Sequence, residues 1–355
     1  MKALVLSGGM GLRLRPFSHS MPKQLIPVAN KPVLVHVIEG LRELGVHEIG
    51  VIVGDRAEQI RAVLGDGSAF DVEITYIPQA APRGLAHCVS IARDFLGDDD
   101  FVMYLGDQML TEGVQEIARD FRAERPDAQV VVHRVADPRA FGVAEVDGSG
   151  RVVRLVEKPE RPVSDLAVVG VYFFTPAIHR AVAAIEASAR GELEITDAIQ
   201  WLVDDGADVR ARTYTGFWKD AGKVDDVLEC NRELLDRQKP AVLGDVDAAS
   251  ELIGSVVVEK GARVLRSRIV GPVIVGAGAV VADSDIGPHT AIGRECLLSG
   301  TGIGYSIVQE GASVQGVTGV HASVIGRDAS VTSPATGSLN RLVVGDHATV
   351  EVAAA

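Results

Sequence analysis

The chemistry open to this chain gathers near its N-terminus. The run Ser7-Gly8-Gly9-Met10-Gly11-Leu12-Arg13-Leu14-Arg15-Pro16 follows directly on a short apolar segment, Ala3 to Leu6, that reads as a buried strand. Glycines at 8, 9 and 11 let the backbone pass close to a ligand and turn its N–H groups toward phosphate oxygens. Arg13 lies just beyond them, and Lys23 follows in Met21-Pro22-Lys23-Gln24-Leu25. A fixed cation beside such a loop can neutralise the charge that grows during phosphoryl transfer. Arg15 reads as ordinary basic surface. The spacing is neither the dinucleotide fingerprint nor a P-loop ending in Gly-Lys-Ser/Thr. Alone, a glycine-rich turn is weak evidence, because many α/β proteins use one merely to turn a corner.

Two carboxylates stand out further along. Leu105-Gly106-Asp107 ends an apolar run, which puts Asp107 at the C-terminal edge of a parallel sheet, where ligands usually bind. Trp218-Lys219-Asp220-Ala221-Gly222 supplies the second. Magnesium is a hard cation that takes one or two carboxylates together with phosphate oxygens. Either Asp by itself would ordinarily be a turn or cap residue.

The elements that must position these groups follow two different periods. Up to about residue 238, short apolar runs (Ile49–Val53, Phe101–Leu105) alternate with helical patterns at Pro32–Leu44, Ala57–Leu64 and Val224–Gln238. On the first of these helices Val33, Leu34, Val37, Ile38 and Leu41 share one face. That rhythm predicts an α/β domain, residues 1–238, with helices on both faces of a sheet. Lys239-Pro240 closes it. Beyond lie units in which an aliphatic residue recurs every six positions, with a small residue usually four after it. They run from Val258 to Val264, Val275 to Val281, Ile286 to Ile292, Ile325 to Val331 and Val344 to Val350. Aliphatics pointing into a narrow core, with Gly or Asp at the corners, predict a β-solenoid over residues 239–355. The repeat resembles the hexapeptide left-handed β-helix, and the irregular stretches Ser299–Tyr305 and Thr332–Asn340 read as inserted loops.

Composition bounds the partners. With 355 residues and a net charge of −13, the chain can bury a large core but lacks the basic surface of a non-specific nucleic-acid binder. Cys88, Cys230 and Cys296 show neither zinc spacing nor a disulfide framework, which fits a reducing cytoplasm. No stretch has the length of a membrane span.

The ordered series Gly8-Gly9-x-Gly11-x-Arg13-Leu14-x-Pro16, Pro22-Lys23-Gln24-Leu25-x-Pro27-Val28 and Lys31-Pro32 resembles the signature of sugar-1-phosphate nucleotidylyltransferases, and within them the glucose-1-phosphate thymidylyltransferases. The likeness covers about residues 1–235 and implies a Rossmann-like nucleotidyltransferase domain with a mixed, mostly parallel sheet. It implies attack of a sugar phosphate oxygen on the α-phosphorus of dTTP, pyrophosphate leaving in line, without a covalent enzyme intermediate. Catalysis then reduces to positioning and charge neutralisation.

Under that resemblance Arg13 would hold the leaving pyrophosphate and Lys23 the reacting phosphates. Leu6, Gly8, Gly9 and Gly11 would line the nucleotide, and Asp107 and Asp220 would hold Mg2+. Gln79-x-x-Pro82-Arg83-Gly84-Leu85-Ala86 resembles the base-reading loop: Gln79 can pair with a pyrimidine edge, and Gly84 would allow close backbone approach. Phe141-Gly142-Val143, Val156-Glu157-Lys158-Pro159 and Val168-Val169-Gly170 follow in family order. Glu157 would accept from sugar hydroxyls and Lys158 would hold the sugar phosphate. Gly142 and Val169 would shape the sugar's bed through their backbone. Arg190, ahead of a helix opening at Asp197 with Thr196 as N-cap, would reach the sugar phosphate, and Trp218 would pack on the site.

Met10 and Leu12 depart from the small or hydroxyl residues common in relatives, which bears on affinity rather than reaction class. The added β-helix resembles a longer form found among enzymes that supply activated sugars to secondary metabolism, and the family implies a homotetramer. Its candidate roles are oligomerisation, regulation or acyl transfer, with His289 and His321 the histidines in view. Rival readings are a uridylyl- or adenylyltransferase, a bifunctional acyltransferase, or a non-catalytic subunit. The last would be expected to lack some of Arg13, Lys23, Asp107, Lys158 and Asp220, all of which are present.

Overall fold

The computed structural model describes residues 1–9, 11–333 and 341–351. By packing, the chain divides into two units, Met1–Gly9 with Leu34–Trp218, and Met10–Val33 with Lys219–Ala355.

Among the described residues of the first unit, nine strands form one mixed sheet. They are β1 (Lys2–Leu6), β2 (Glu48–Val53), β3 (Glu73–Pro78), β4 (Phe101–Leu105), β5 (Ala128–Arg134), β6 (Gly142–Val146), β7 (Val152–Glu157), β8 (Leu166–Phe174) and β9 (Val209–Thr213). The order is β7-β6-β8-β4-β1-β2-β3, with β5 pairing both β8 and β9. β1 runs parallel to β2 and β4, β2 to β3, and β9 to β5. β8 runs antiparallel to β4, β5 and β6, as does β7 to β6. Register decides where the chemistry emerges. Leu6 lies beside Ile52 and Leu105, and Val53 beside Pro78. The turns carrying Gly8, Gln79 and Asp107 therefore leave the sheet at one edge, the C-terminal edge of its parallel strands.

The sheet is held by a continuous core. Leu4, Leu6, Phe101 and Met103 pack with Ile178 and Ala181 of one helix and Ile195, Ala198, Ile199 and Leu202 of another. The first helix spans Val33–Glu43 and buries Leu34, Val37, Ile38 and Leu41, as the periodicity predicts. It starts at Val33 because Pro32 is committed to a short hairpin, Lys31–Pro32 pairing with Pro27–Val28. The helix expected from Asp197 instead spans Ile195–Asp204 with Glu194 as N-cap residue, and Thr196 lies buried in its first turn. No helix among the described residues is long and apolar enough to cross a membrane.

The second unit is built on a left-handed parallel β-helix. Three all-parallel sheets stack coil upon coil, for example Val256 on Val273 on Thr290, and Arg263 on Val280 on Leu297. The repeat works as the spacing predicts. Val258, Val264, Val275, Val281, Ile286 and Ile292 are fully buried, and Ala262, Ala279, Ala312 and Ala329 fill the small position. Cys296 takes that slot in its own coil, where burial pushes its thiol up to about 12. Burial likewise pushes the Cys88 thiol of the first unit up to about 12. One corner carries a hydroxyl ladder. The backbone N–H groups of Ser267, Ser284 and Thr301 donate to Ser250, Ser267 and Ser284 Oγ, each at 3.1 Å, so every step satisfies a buried amide.

Ser299–Tyr305 is not an inserted loop. Gly302–Gly304 is a regular strand of the third sheet, between Asp285–Ile286 and Val320–His321. Its glycines hide the repeat from a reading that looks for aliphatic residues. Of the other stretch, Thr332 ends the strand Ser330–Thr332, while residues 334–340 lie outside those described.

The segment 11–33 of the same unit carries three short 3-10 turns, which hold no shape alone. It is fastened at its middle and at its hairpin turn. Ser20 Oγ donates to Asp346 Oδ2 at 2.6 Å, and that buried carboxylate also takes Arg327 Nη2 at 2.7 Å. The hairpin turn, Ala29 and Asn30, is left-handed at both residues (φ 47° and 62°). Asn30 Nδ2 donates to Ile292 O at 2.7 Å. The fully buried Asn231, on the helix Val224–Asp236, accepts from Ala29 N at 2.9 Å and donates to His289 O at 3.1 Å. Asn231→Ala leaves both backbone groups without that partner, and a buried unsatisfied group costs about 1–3 kcal/mol. Urea unfolding should show a loss of that size. A change near zero would mean that Asn231 is not the clamp.

Candidate active site

Each unit carries part of the predicted set. In the first, β1 hands the chain to Ser7, whose N–H donates to Ile52 O at 2.9 Å, and then to Gly8. A Cβ on Gly8 would stand 3.3 Å from Gln79 Oε1, so this glycine allows the amide to lie against the loop. Gln79 is aimed from behind. Its Nε2 lies 3.1 Å from His87 Nδ1 and 3.1 Å from Cys88 Sγ, which leaves Oε1 as the forward-facing acceptor. Gly84 sits at φ 101°, and a Cβ there would come within 2.3 Å of Leu193 O. That glycine is therefore required by the protein's own backbone.

Asp107 follows β4 through Gly106, whose N–H donates to Leu6 O at 3.0 Å. The carboxylate is nearly buried and accepts from Gln108 Nε2 at 3.3 Å. Gln108 in turn accepts from Trp218 Nε1 at 2.7 Å. The indole is buried against Phe141, with ring centroids 5.0 Å apart, and His133, 5.6 Å away. Trp218 thus reaches Asp107 through Gln108, a residue the sequence reading passed over.

A third group collects on β6, β7 and the segment before Ile195–Asp204. Glu157 Oε1 pairs with Lys158 Nζ at 2.9 Å and Arg190 Nη1 at 3.4 Å, and Thr196 Oγ1 donates to its Oε2 at 3.4 Å. Gly142 lies beneath: a Cβ there would stand 2.8 Å from Thr196 Cγ2 and 3.4 Å from Glu157 Oε2. Val169 is buried where β8 breaks register between Val168 and Tyr172, beside Gly170 at φ 80°. Arg190 also pairs with the buried Glu194 at 3.1 Å. Burial pushes the Glu194 carboxyl above its usual range, and Arg190 only partly opposes it. Neither Glu194 nor Thr196 in this role was expected. An N-cap pattern marks both positions, but their partner, Glu157, is distant in sequence.

In the second unit Gly11 (φ 62°) brings the loop back beside Lys23, where a Cβ would meet Lys23 Cβ at 2.7 Å. Asp220 takes Arg13 Nη2 on Oδ2 at 3.2 Å and Lys23 Nζ near Oδ1 at 3.7 Å. Gly222 makes room, since a Cβ there would lie 2.9 Å from both Arg13 Nη2 and Asp220 Oδ1. Two cations from the glycine-rich segment and one carboxylate thus share a single cluster.

The family model described as "Nucleotidyl transferase" matches residues 2–237. The chain belongs to the nucleotidyl transferase family. Within it, a Streptomyces griseus protein named glucose-1-phosphate thymidylyltransferase is 54% identical over 353 residues, covering 99% of each chain. A Streptomyces antibioticus protein of the same name is 55% identical over 269 residues, 76% of each chain. A Bacillus anthracis crystal structure described as a glucose-1-phosphate thymidylyltransferase in complex with sucrose aligns at TM-score 0.61 and 32% identity. It covers 65% of this chain and 94% of that one. The nucleotidyltransferase match thus ends where the β-helix begins, while the Streptomyces griseus relative extends through it.

The raised Glu194 carboxyl carries a pH dependence of stability. Because the folded state holds that proton more tightly than the unfolded chain, its contribution is full below about 4.5 and is lost as pH rises through the folded value. Glu194→Gln removes the loss. The difference in melting temperature, variant minus wild type, should therefore grow from pH 4 to pH 8, and a difference independent of pH would contradict the assignment.

Proposed function

We propose that this protein is a glucose-1-phosphate thymidylyltransferase, joining glucose 1-phosphate to dTTP with release of pyrophosphate. The observation that carries the reading is the 54% identity, over 99% of both chains, to the Streptomyces griseus protein of that name. The cluster of Arg13, Lys23 and Asp220 supports it, because it supplies the charge such a transfer needs.

The sugar phosphate oxygen attacks the α-phosphorus; that P–O bond forms as the bond to the β-phosphate oxygen breaks, and pyrophosphate leaves with the electron pair. Arg13 and Lys23 offset the charge on the leaving group and the reacting phosphates. Leu6 and the glycines at 8, 9 and 11 bed the nucleotide. Gln79 Oε1 accepts the imide N–H of the base, a contact thymine and uracil share. Discrimination between them then rests on a methyl group, worth about 1–3 kcal/mol, and the ribose hydroxyl. Glu157 accepts from sugar hydroxyls, Lys158 and Arg190 hold the sugar phosphate, Gly142 and Val169 shape the bed, and Trp218 steadies Asp107 through Gln108.

Asp107 and Asp220 fit magnesium as hard oxygen donors, the first oriented by Gln108 and the second lodged among the phosphate-binding cations. Bound there, the ion would supply charge neutralisation at the phosphates. The proposed domain boundary is 238/239, between the helix Val224–Asp236 and the first coil strand, Ala241–Val242. A cytoplasmic homotetramer serving secondary metabolism completes the reading; the three buried free cysteines are consistent with that compartment.

The test is pyrophosphate release with glucose 1-phosphate and magnesium, run with dTTP, UTP, ATP, CTP and GTP. Release should be fastest with dTTP, and a clear preference for another triphosphate would replace the base assignment. Gln79→Ala should narrow the gap between dTTP and the purine triphosphates. Asp107→Asn should lower kcat by on the order of 100-fold or more with an unchanged melting temperature; near-normal turnover would remove Asp107 from the metal site.

A further inference from the structure

The third sheet of the β-helix bears a cleft of about 630 Å³ that the proposed reaction does not use. Its floor is unusual for an outer sheet face. Ile286, Ile303 and Val320 point into the core, so alternation puts Asp285 and Gly287, Gly302 and Gly304, and Gly319 and His321 on the outside. Four of these six outward positions carry no side chain. The fold does not demand that at the centre of the floor. Gly302 and Gly304 have ordinary negative φ, and a Cβ on them would meet nothing closer than 3.4 and 3.6 Å. The result is a flat, bare patch of backbone.

A wall of rings stands beside it. His289, Tyr305 and His321 come from three successive coils. Tyr305 and His321 are stacked at 5.7 Å and 25°, and His289 meets Tyr305 edge-on at 6.2 Å. His289 is steadied by Asp236, 2.8 Å from its Nε2. At the far corner Asp285 offers carboxylate oxygens, with Arg268 at 3.8 Å. The lining residues themselves include no Lys or Arg, and Asp285 is their one carboxylate.

We infer that this cleft binds a neutral, hydroxylated sugar ring. A pyranose is flat enough for the glycine floor, and its C–H face can rest on the ring wall. Its hydroxyls can donate to Asp285 and exchange hydrogen bonds with the histidines. The volume falls within the range of small-molecule sites, about 300–1,000 Å³.

The experiment is saturation-transfer NMR on the full chain with methyl α-D-glucopyranoside, and with thymidine for comparison. Signal from the glucoside should persist in Glu157→Gln, which impairs the catalytic sugar subsite. It should fall to background in Gly304→Val, whose added methyls fill the floor, and in Tyr305→Ala, which opens the wall. Both cleft variants should keep the wild-type melting temperature and pyrophosphate release; using two guards against one failing to fold. Loss of the glucoside signal in Glu157→Gln but not in the cleft variants would overturn the inference. So would the absence of any glucoside signal, or a cleft-dependent signal from thymidine alone.

Discussion

Two cations must be held beside one carboxylate by a stretch of chain that has almost no regular structure of its own. Arg13 and Lys23 lie in 3-10 turns, and a turn of that kind neither fixes a side chain nor resists the repulsion of two like charges. Asp220 cancels that repulsion locally. The backbone is tethered at Ser20 to Asp346 of the β-helix, and at Ala29 and Asn30 to Asn231 of the helix Val224–Asp236 and to Ile292 O of the β-helix. Asp346 is nearly fully buried and accepts from Ser20 and Arg327 together, so its charge is compensated where it sits. In this chain the β-helix is thus part of what shapes the segment that carries Arg13 and Lys23, besides any role of its own.

The first unit meets a different constraint with different means. Its sheet delivers Gly8, Gln79 and Asp107 to one edge by register alone, and the two side chains are then oriented by partners behind them. Gln79 is turned by His87 and Cys88, Asp107 by Gln108 and, through it, Trp218. The buried Glu194 plays the same part for Arg190, at the expense of a carboxyl whose burial raises its pKa.

Much of this was legible in the sequence, for reasons that also explain what was not. Helix Ala57–Leu64 and strand Phe101–Leu105 are found where predicted, because burial on one face imposes a period. The aliphatic and alanine positions of the β-helix were visible for the same reason. Gly302–Gly304 was not, since a strand without side chains on its outer face has no pattern to read. Thr196 looked like a cap because its type suits one, yet its hydroxyl serves Glu157, which only the fold brings near. Gln108, Glu194, Asn231 and Asp346 share that character: each acts through a partner far along the chain.

Gly84 and Leu193 form a backbone clasp, Ala86 N donating to Leu193 O at 3.0 Å and Leu193 N to Arg83 O at 2.8 Å. One side of the clasp continues from Gln79, and the other runs directly into Glu194 and Thr196. Base recognition and sugar recognition, on the function proposed, are therefore not independent dials. A loop rebuilt to accept a different base carries the sugar-binding helix with it. Directed evolution for a new nucleotide sugar should accordingly recover paired changes on the two sides of this clasp more readily than single ones.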